Sequence, residues 1–429
     1  MFLAERIRQL RIHKGMNQSE LVEGICSITY LSRIENGKIK PSKAFLHKIS
    51  EKLDVAIEYL TDNDITNFEA TIQETIDHYK VTNHMSEREI SFLEIHSMEM
   101  HPVPVLLQIH GVLLHYYVRI NSMKNTDRIY TNSLKLLPDR VHEYYPEDSM
   151  FYYIACGNYF YQKQNFHKAD DYYSEADRLM EDDESIQRAH LYYNLGLVKQ
   201  RLNKKQDISR HYTLKAYKLY KRFENTTNII SVLITLGVQY HLDQMFEEAK
   251  DCLSKAKSLV DEYHDNTFEG MIEYNYGRVY QGMKEFDQAI VHFKKSLTIH
   301  KGNDKERIYS LRGLVEVYSE LKEWNLANTY LNEAIEIVET LDLRYLYVDI
   351  HALVAELYKV RRDDYNYEKE MQQLIHFSLD HQQFLLAKKH AVTLGDHYYN
   401  VNAYKMAAKY YQIALKNDNK VKEAPKIYQ

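Results

Sequence analysis

Proline and glycine are scarce in this chain, six and thirteen among 429 residues. A large irregular β protein needs more of both for its turns, so the scarcity points to a mostly helical fold. Cysteine is scarcer still. Cys26, Cys156 and Cys252 are scattered without disulfide or metal spacing, which excludes a disulfide framework and suits the reducing cytoplasm. No stretch approaches eighteen apolar residues, and the opening MFLAERIRQLRIHKG lacks the apolar core of a secretory signal. A membrane partner is therefore not expected. Catalytic signatures are missing too: there is no HExxH, no Cys-His cluster, no phosphate loop and no dinucleotide glycine pattern. The chain reads as a protein that is not an enzyme and has no cofactor. Of its 21 histidines, His96, His101, His110 and His115 come nearest to a metal set. They spread over several helical turns with a proline break among them, so packing or solvated roles are expected and no metal.

What is present is uneven in charge. Residues 1–60 hold ten Lys/Arg against seven Asp/Glu, a surplus of three in a chain of net −6, which leaves −9 on the remainder. A basic head on an acidic body suggests a polyanion at one end only.

Four short helices can be read in that head. Ile7 and Leu10 give the first a buried side, and Gly15 ends it. Asn17 caps the second, with Glu20 three residues on completing a capping box, and Leu21, Val22 and Ile25 form its inner face. After a break at Gly24, Ser27 caps a third helix that turns Tyr30, Leu31 and Ile34 inward and stops at Asn36-Gly37. Pro41-Ser42 opens a fourth, with Phe45, Leu46, Ile49 and Leu53 on one face. Helix, brief turn and helix within twenty residues is the helix-turn-helix arrangement.

"NQSEL" followed by "YLSRIENGKIKPS" resembles the helix-turn-helix of the phage-repressor (Xre) type over residues 5 to 60. The likeness includes Gln18 at the start of the second helix, Ser32 and Glu35 in "SRIENG", and Pro41. It implies that the third helix lies in the major groove of double-stranded operator DNA, with its N-terminal half reading bases. By position, Ile28, Thr29 and Arg33 become the readers, with Ser27 and Ser32 beside them. Arg33 can donate two parallel bonds to guanine, and Ile28 can meet a thymine methyl. Gln18, Asn36, Lys38, Lys40 and Lys43 would hold phosphates. Arg11 and Glu35 match a pair that is structural in that family.

The body repeats itself. A small residue is followed by an aromatic at +3, Ala at +12, an aromatic or Leu at +16, and Ala or Ser at +19. Gly157, Gly237, Gly277 and Gly395 open full copies, Val315 a variant, and Gly196 and Ala355 weaker ones with Ile208 and Tyr367 at the +12 position. The anchors are 38 to 41 residues apart. These are the places where a tetratricopeptide repeat needs small residues, in a unit somewhat longer than the usual ~34. Much of the chain's excess of tyrosine, 38 residues, is then packing. The expected architecture is all-α, a helix-turn-helix domain (1–62), a linker with degenerate helical repeats (63–145) hinged near 61–67, and a right-handed tetratricopeptide-repeat superhelix (146–429) that binds peptide and dimerises. Its concave face is lined by the first helix of each pair. Counted from each anchor, that face presents Asn158, Tyr161, Tyr193, Asn194, Gln200, Arg201, His241, Tyr274, Asn275, Arg278, Gln281 and Arg312. Asparagines there can bond both edges of an extended peptide, and the arginines can take a carboxylate.

Such a head on such a body resembles the Gram-positive peptide-pheromone receptors, the Rap–NprR–PlcR–PrgX group, and within it the NprR and PlcR type. The resemblance implies a cytoplasmic quorum-sensing regulator of transcription whose repeats bind a short signalling peptide. It also implies a homodimer, or a tetramer built from it, on paired half-sites. In relatives of the group the helical body docks response-regulator proteins and in some promotes their dephosphorylation, which leaves as an alternative a protein-interaction regulator that docks or dephosphorylates such a partner. A phage-type communication regulator of similar build is a further reading.

Overall fold

The computed structural model describes residues 2–14, 16–53, 57, 60, 69–99, 101–138, 140–180, 184–263, 266–341, 343–381 and 383–422. All regular structure among them is helical. The chain divides into two compact units, Met1–Phe223 and Glu224–Gln429.

The first unit opens with four helices: α1 (Phe2–His13), α2 (Gln18–Val22), α3 (Ile28–Glu35) and α4 (Lys43–Leu53). Their starts follow the local chemistry. Asn17 and Glu20 make a full capping box on α2, Ser27 accepts the Tyr30 N–H at the head of α3, and Ser42 accepts that of Phe45 before α4. Gly37, at φ +68°, ends α3 in the left-handed region. Ile7, Leu10, Leu21, Val22, Leu31, Ile34, Phe45, Leu46, Ile49, Leu53 and Leu60 close one core. Arg8 leaves this bundle to donate to the Leu137 carbonyl at 3.0 Å, just past the helix Met123–Leu136. The expected hinge at 61–67 lies outside the described residues. Helices Glu69–Thr82, Glu87–His96, Val103–Arg119 and Met123–Leu136 precede the repeats Pro146–Gln162/Phe166–Leu179 and Ile186–Leu202/Asp207–Arg222.

The second unit is built of five helix pairs: Thr226–Leu242/Phe246–Tyr263, Glu269–Gly282/Phe286–Ile299, Asp304–Glu320/Trp324–Thr340, Arg344–Val360/Asp364–Asp380 and Phe384–Asn400/Tyr404–Lys422. In both units the anchor glycines do one job. A Cβ added at Gly157 would sit 2.3 Å from the Tyr173 ring, at Gly277 2.6 Å from Phe293, and at Gly395 2.7 Å from Tyr411. Each partner is the residue at +16, so the anchor must be small for the two helices of a pair to meet. Ala169, Ala249, Ala289 and Ala327, the +12 alanines, have no solvent exposure.

The copy at Gly196 differs from its sequence reading. Ile208 is exposed, and Ser209, Thr213 and Ala216 are buried in its place. Four residues join Leu202 to Asp207, where three join Gln162 to Phe166. The extra residue moves every second-helix position on by one.

A second regularity lies at the turn inside each pair. Gln164, Gln244, Lys284, Lys322, Arg362 and Asn402, each seven residues past an anchor, have φ between 57° and 62°. The next N–H then reaches back to the carbonyl of the aromatic at +3, as in Met245 to Tyr240 at 2.9 Å and Glu323 to Tyr318 at 2.8 Å. This is the bonding of a Schellman cap. The Gly196 copy lacks it, since Asn203 stands at φ −101°.

One buried charge ties neighbouring pairs of the second unit. Glu273 accepts from Lys257 at 2.8 Å, Lys295 at 2.6 Å and His292 at 2.7 Å. Burial opposes its ionisation, yet these hydrogen bonds hold the carboxyl down at about 2.

Gly277→Ala should destabilise the second unit by about 1–3 kcal/mol, the usual cost of overpacking. Thermal unfolding would show this, and Phe293→Leu in the same chain should return part of the loss by vacating the space the new methyl needs.

Candidate DNA-reading helix and repeat face

The outward side of α3 begins with Ser27, Ile28 and Thr29, all exposed, and continues to Arg33 one turn on. Ile28, 49% exposed, is an apolar side chain left out of the head's core. Asn36, Lys38, Lys40 and Lys43 follow, also exposed, while Ser32 is half-buried and accepts from Asn36 Nδ2 at 3.4 Å. Among the described residues, Arg33, Lys38, Lys40 and Lys43 make no side-chain ion pair within the chain.

The inward side of α3 is fixed by a charge clamp. Arg11 Nε and Nη2 donate to the two oxygens of Glu35 at 2.7 and 3.0 Å, and Arg11 Nη1 donates to the Met16 carbonyl at 2.9 Å. Gln18 Nε2 adds a bond to Glu35 Oε2 at 2.7 Å. The carboxylate is 5% exposed and its oxygens are satisfied by planar donors, the geometry in which a buried pair orients rather than merely attracts. Gln18, assigned to phosphate from sequence, thus has its amide nitrogen on Glu35 and one N–H remaining.

In the first unit the repeat-face residues are half-buried, apart from exposed Arg201. Asn158 Oδ1 accepts from Tyr173 Oη at 2.6 Å and from Asn194 Nδ2 at 3.2 Å, which joins two of the expected peptide contacts side by side. Gln200 buries its Oε1 without a hydrogen-bond partner. Tyr161 meets the Phe166 ring edge-on, and Tyr193 is half-buried beside Asn194.

In the second unit Arg278 and Arg312 converge on one carboxylate that the sequence reading passed over. Arg278 Nη1 and Gln281 Nε2 donate to Glu316 Oε2, and Arg312 Nε donates to Oε1 at 2.8 Å. Burial would raise the Glu316 carboxyl, but the two guanidinium groups outweigh it and hold it below the usual range. Asn275 is buried and its Nδ2 donates to the Met271 carbonyl, leaving its oxygen. The Tyr274 ring packs on Phe293 and Tyr309. Burial, with Arg278 nearby, pushes His241 down to about 4.

A cavity of about 610 Å³ opens beside this cluster, with Arg312, Glu316, Asp349, Glu356, Lys389 and His390 among its walls. Two buried polar atoms in residues of that wall, Tyr367 Oη and His390 Nε2, have no hydrogen-bond partner in the chain. Glu316, Ser319, Glu320 and Glu356 stand at the same offsets from their anchors as the residues chosen from sequence. The offsets could have found them; the choice of asparagine, arginine and aromatic types left them out.

The four histidines part company. His115 bonds Tyr79 Oη at 2.6 Å and His110 is wholly buried, but His96 and His101 meet ahead of the proline break with 3.2 Å between Nδ1 and Nε2. Burial above all pushes His101, His110 and His115 down to about 4. The expectation of separate histidines fails for that one pair, because the helix ends at His96 and the chain turns back before Pro102.

The helix-turn-helix family model matches residues 7–60, and the tetratricopeptide-repeat model matches 228–301 and 268–340. The chain thus carries a helix-turn-helix at residues 7–60 and tetratricopeptide repeats within 228–340. It is 23% identical over 331 residues to the transcriptional activator NprA of Geobacillus stearothermophilus, covering 75% of this chain and 77% of that one. Its fold is that of a Rap protein solved with competence and sporulation factor (TM-score 0.59, 16% identity, 83% of this chain and 99% of that one). It is also that of NprR solved with its cognate peptide NprX (TM-score 0.58, 15% identity, 82% and 99%). The likeness in fold is to the Rap and NprR proteins, as the residues themselves indicated. No helix among the described residues is long and apolar enough to cross a membrane.

Glu35→Ala should destabilise the head by about 3–5 kcal/mol, because Arg11 would be left buried and unpaired. Hydrogen exchange would report this as faster exchange confined to residues 2–53, with the second unit unchanged.

Proposed function

We propose that this chain is a cytoplasmic transcription regulator that binds operator DNA through α3 and answers to a short signalling peptide bound on its repeats. The observation that supports DNA binding is the contrast across α3. One side is locked by Arg11, Glu35 and Gln18, and the other presents Ile28, Thr29 and Arg33 to solvent with a run of unpaired lysines behind them. A rigid helix with an uncommitted cationic face is what base readout and phosphate contact require. Ile28, Thr29 and Arg33 read bases, Ser27 and Ser32 lie beside them, and Asn36, Lys38, Lys40 and Lys43 set the register on phosphates, with the remaining N–H of Gln18. The head is residues 1–62, with 63–145 joining it to the repeats of 146–429. A homodimer would bring two heads to half-sites about 34–36 Å apart.

The peptide reading rests on the cavity in the second unit. Its volume, about 610 Å³, suits several residues of an extended peptide. Tyr367 and His390, residues of its wall, each bury a polar atom without a partner in the chain. The Arg278–Glu316–Arg312 network stiffens one wall, where Gln281 adds a polar side chain. Asn158, Asn194 and Gln200 supply the same chemistry on the first unit's repeats. A ligand so held changes DNA affinity only by its differential affinity for two arrangements of the heads.

Arg33→Ala tests the DNA assignment. Discrimination between operator and non-operator duplexes should fall by about 1–3 kcal/mol, with the melting temperature unchanged. Fluorescence anisotropy on matched duplexes reads it, and selectivity equal to wild type would refute the assignment.

A further inference from the structure

We infer that His96, Glu99 and His101 form a binding site for a divalent transition-metal ion of the zinc class. His96 ends the helix Glu87–His96, and the chain then turns through Ser97, whose N–H bonds the Leu93 carbonyl at 2.8 Å. Glu99 N–H still reaches the His96 carbonyl at 3.2 Å, so this short segment stays coiled over the helix end. Pro102 caps the next helix, Val103–Arg119, and forbids His101 a helical backbone. The His101 ring thereby comes back against His96, with centroids 5.2 Å apart.

The donor atoms fit a coordination shell. His96 Nδ1 and His101 Nε2 are 3.2 Å apart, and Glu99 Oε2 stands 2.6 Å from the first and 3.8 Å from the second. Ligands bound at about 2.0–2.1 Å in a tetrahedron lie about 3.3 Å from one another, and the three separations bracket that value. The two imidazoles are 6% and 4% exposed, and the Glu99 side chain is half-exposed. The nitrogens are thus shielded while an ion can enter past the carboxylate, and a fourth position is left for water. Neutral imidazole is the ligating form. The Phe92 ring, 4.5 Å from that of His96, fixes one ligand's orientation. A bound ion would pin the end of one helix to the start of the next. Glu94, two residues before His96 on the same helix, takes the Tyr117 hydroxyl and Arg128.

The full-length chain, stripped by a chelator, should bind one equivalent of Zn2+ in calorimetry and rise in melting temperature. Its Co2+ form should show the intense visible bands of a tetrahedral site. Glu99→Ala, a change at an exposed side chain that leaves the fold intact, should weaken binding at least about tenfold, and His101→Gln should remove the cobalt bands. Absence of binding by the wild-type chain would overturn the site. Binding undiminished in Glu99→Ala would overturn it equally, since the metal would then be held by other histidines.

Discussion

Where the anchor is glycine, a repeat depends on one contact, the meeting of that residue on the first helix with a side chain on the second, sixteen residues later in every such copy but that of Gly196. Gly157 against Tyr173, Gly277 against Phe293 and Gly395 against Tyr411 leave no room for even a methyl group. That closeness fixes how the first helix is rolled, and the roll decides which of its residues face away from the second. Phe293 shows how the constraint passes on, because its ring also fills the space at Gly313 of the following pair. Polar residues at fixed offsets from the anchor are then presented together, as Arg278, Arg312 and Glu316 are. The cavity beside them follows from backbone packing.

The head obeys a different constraint. Its helices are too short to be held by apolar burial alone, and a bidentate Arg11–Glu35 pair with Gln18 adds direction. Fixing Glu35 fixes the roll of α3, and with it the exposure of Arg33 in the same turn and of Ile28 and Thr29 nearly two turns earlier. The Arg8 bond to the Leu137 carbonyl connects that bundle to the segment ahead of the repeats.

Much of this was legible in the sequence, for local reasons. Caps at Asn17 and Ser27, the stop at Gly37 and the spacing of Phe45, Leu46, Ile49 and Leu53 are decided within a few residues, and the helices begin and end accordingly. The repeat anchors were legible because closeness permits few residue types. What the sequence did not disclose is long-range or conformational. Glu316, four residues after Arg312 on its own helix, is an unremarkable glutamate until Arg278 from the preceding first helix reaches it. Glu273 gathers Lys257 from one helix and His292 and Lys295 from another. The left-handed turns fall on Gln, Lys, Arg and Asn instead of glycine, so composition gave no sign of them. The added residue before Ser209 hid one repeat's register. His96 and His101 were set aside on account of a proline that follows both.

The central claim is that a peptide on the repeats changes what the head does on DNA. The most direct measurement is fluorescence anisotropy of the full chain on duplexes from upstream of its own gene, at two salt concentrations, with and without short peptides encoded just downstream. The account requires salt-sensitive, sequence-selective binding whose affinity or stoichiometry shifts with one peptide, and a shift that Glu316→Ala diminishes. Selective DNA binding that ignores every peptide, or no selective binding at all, would contradict it.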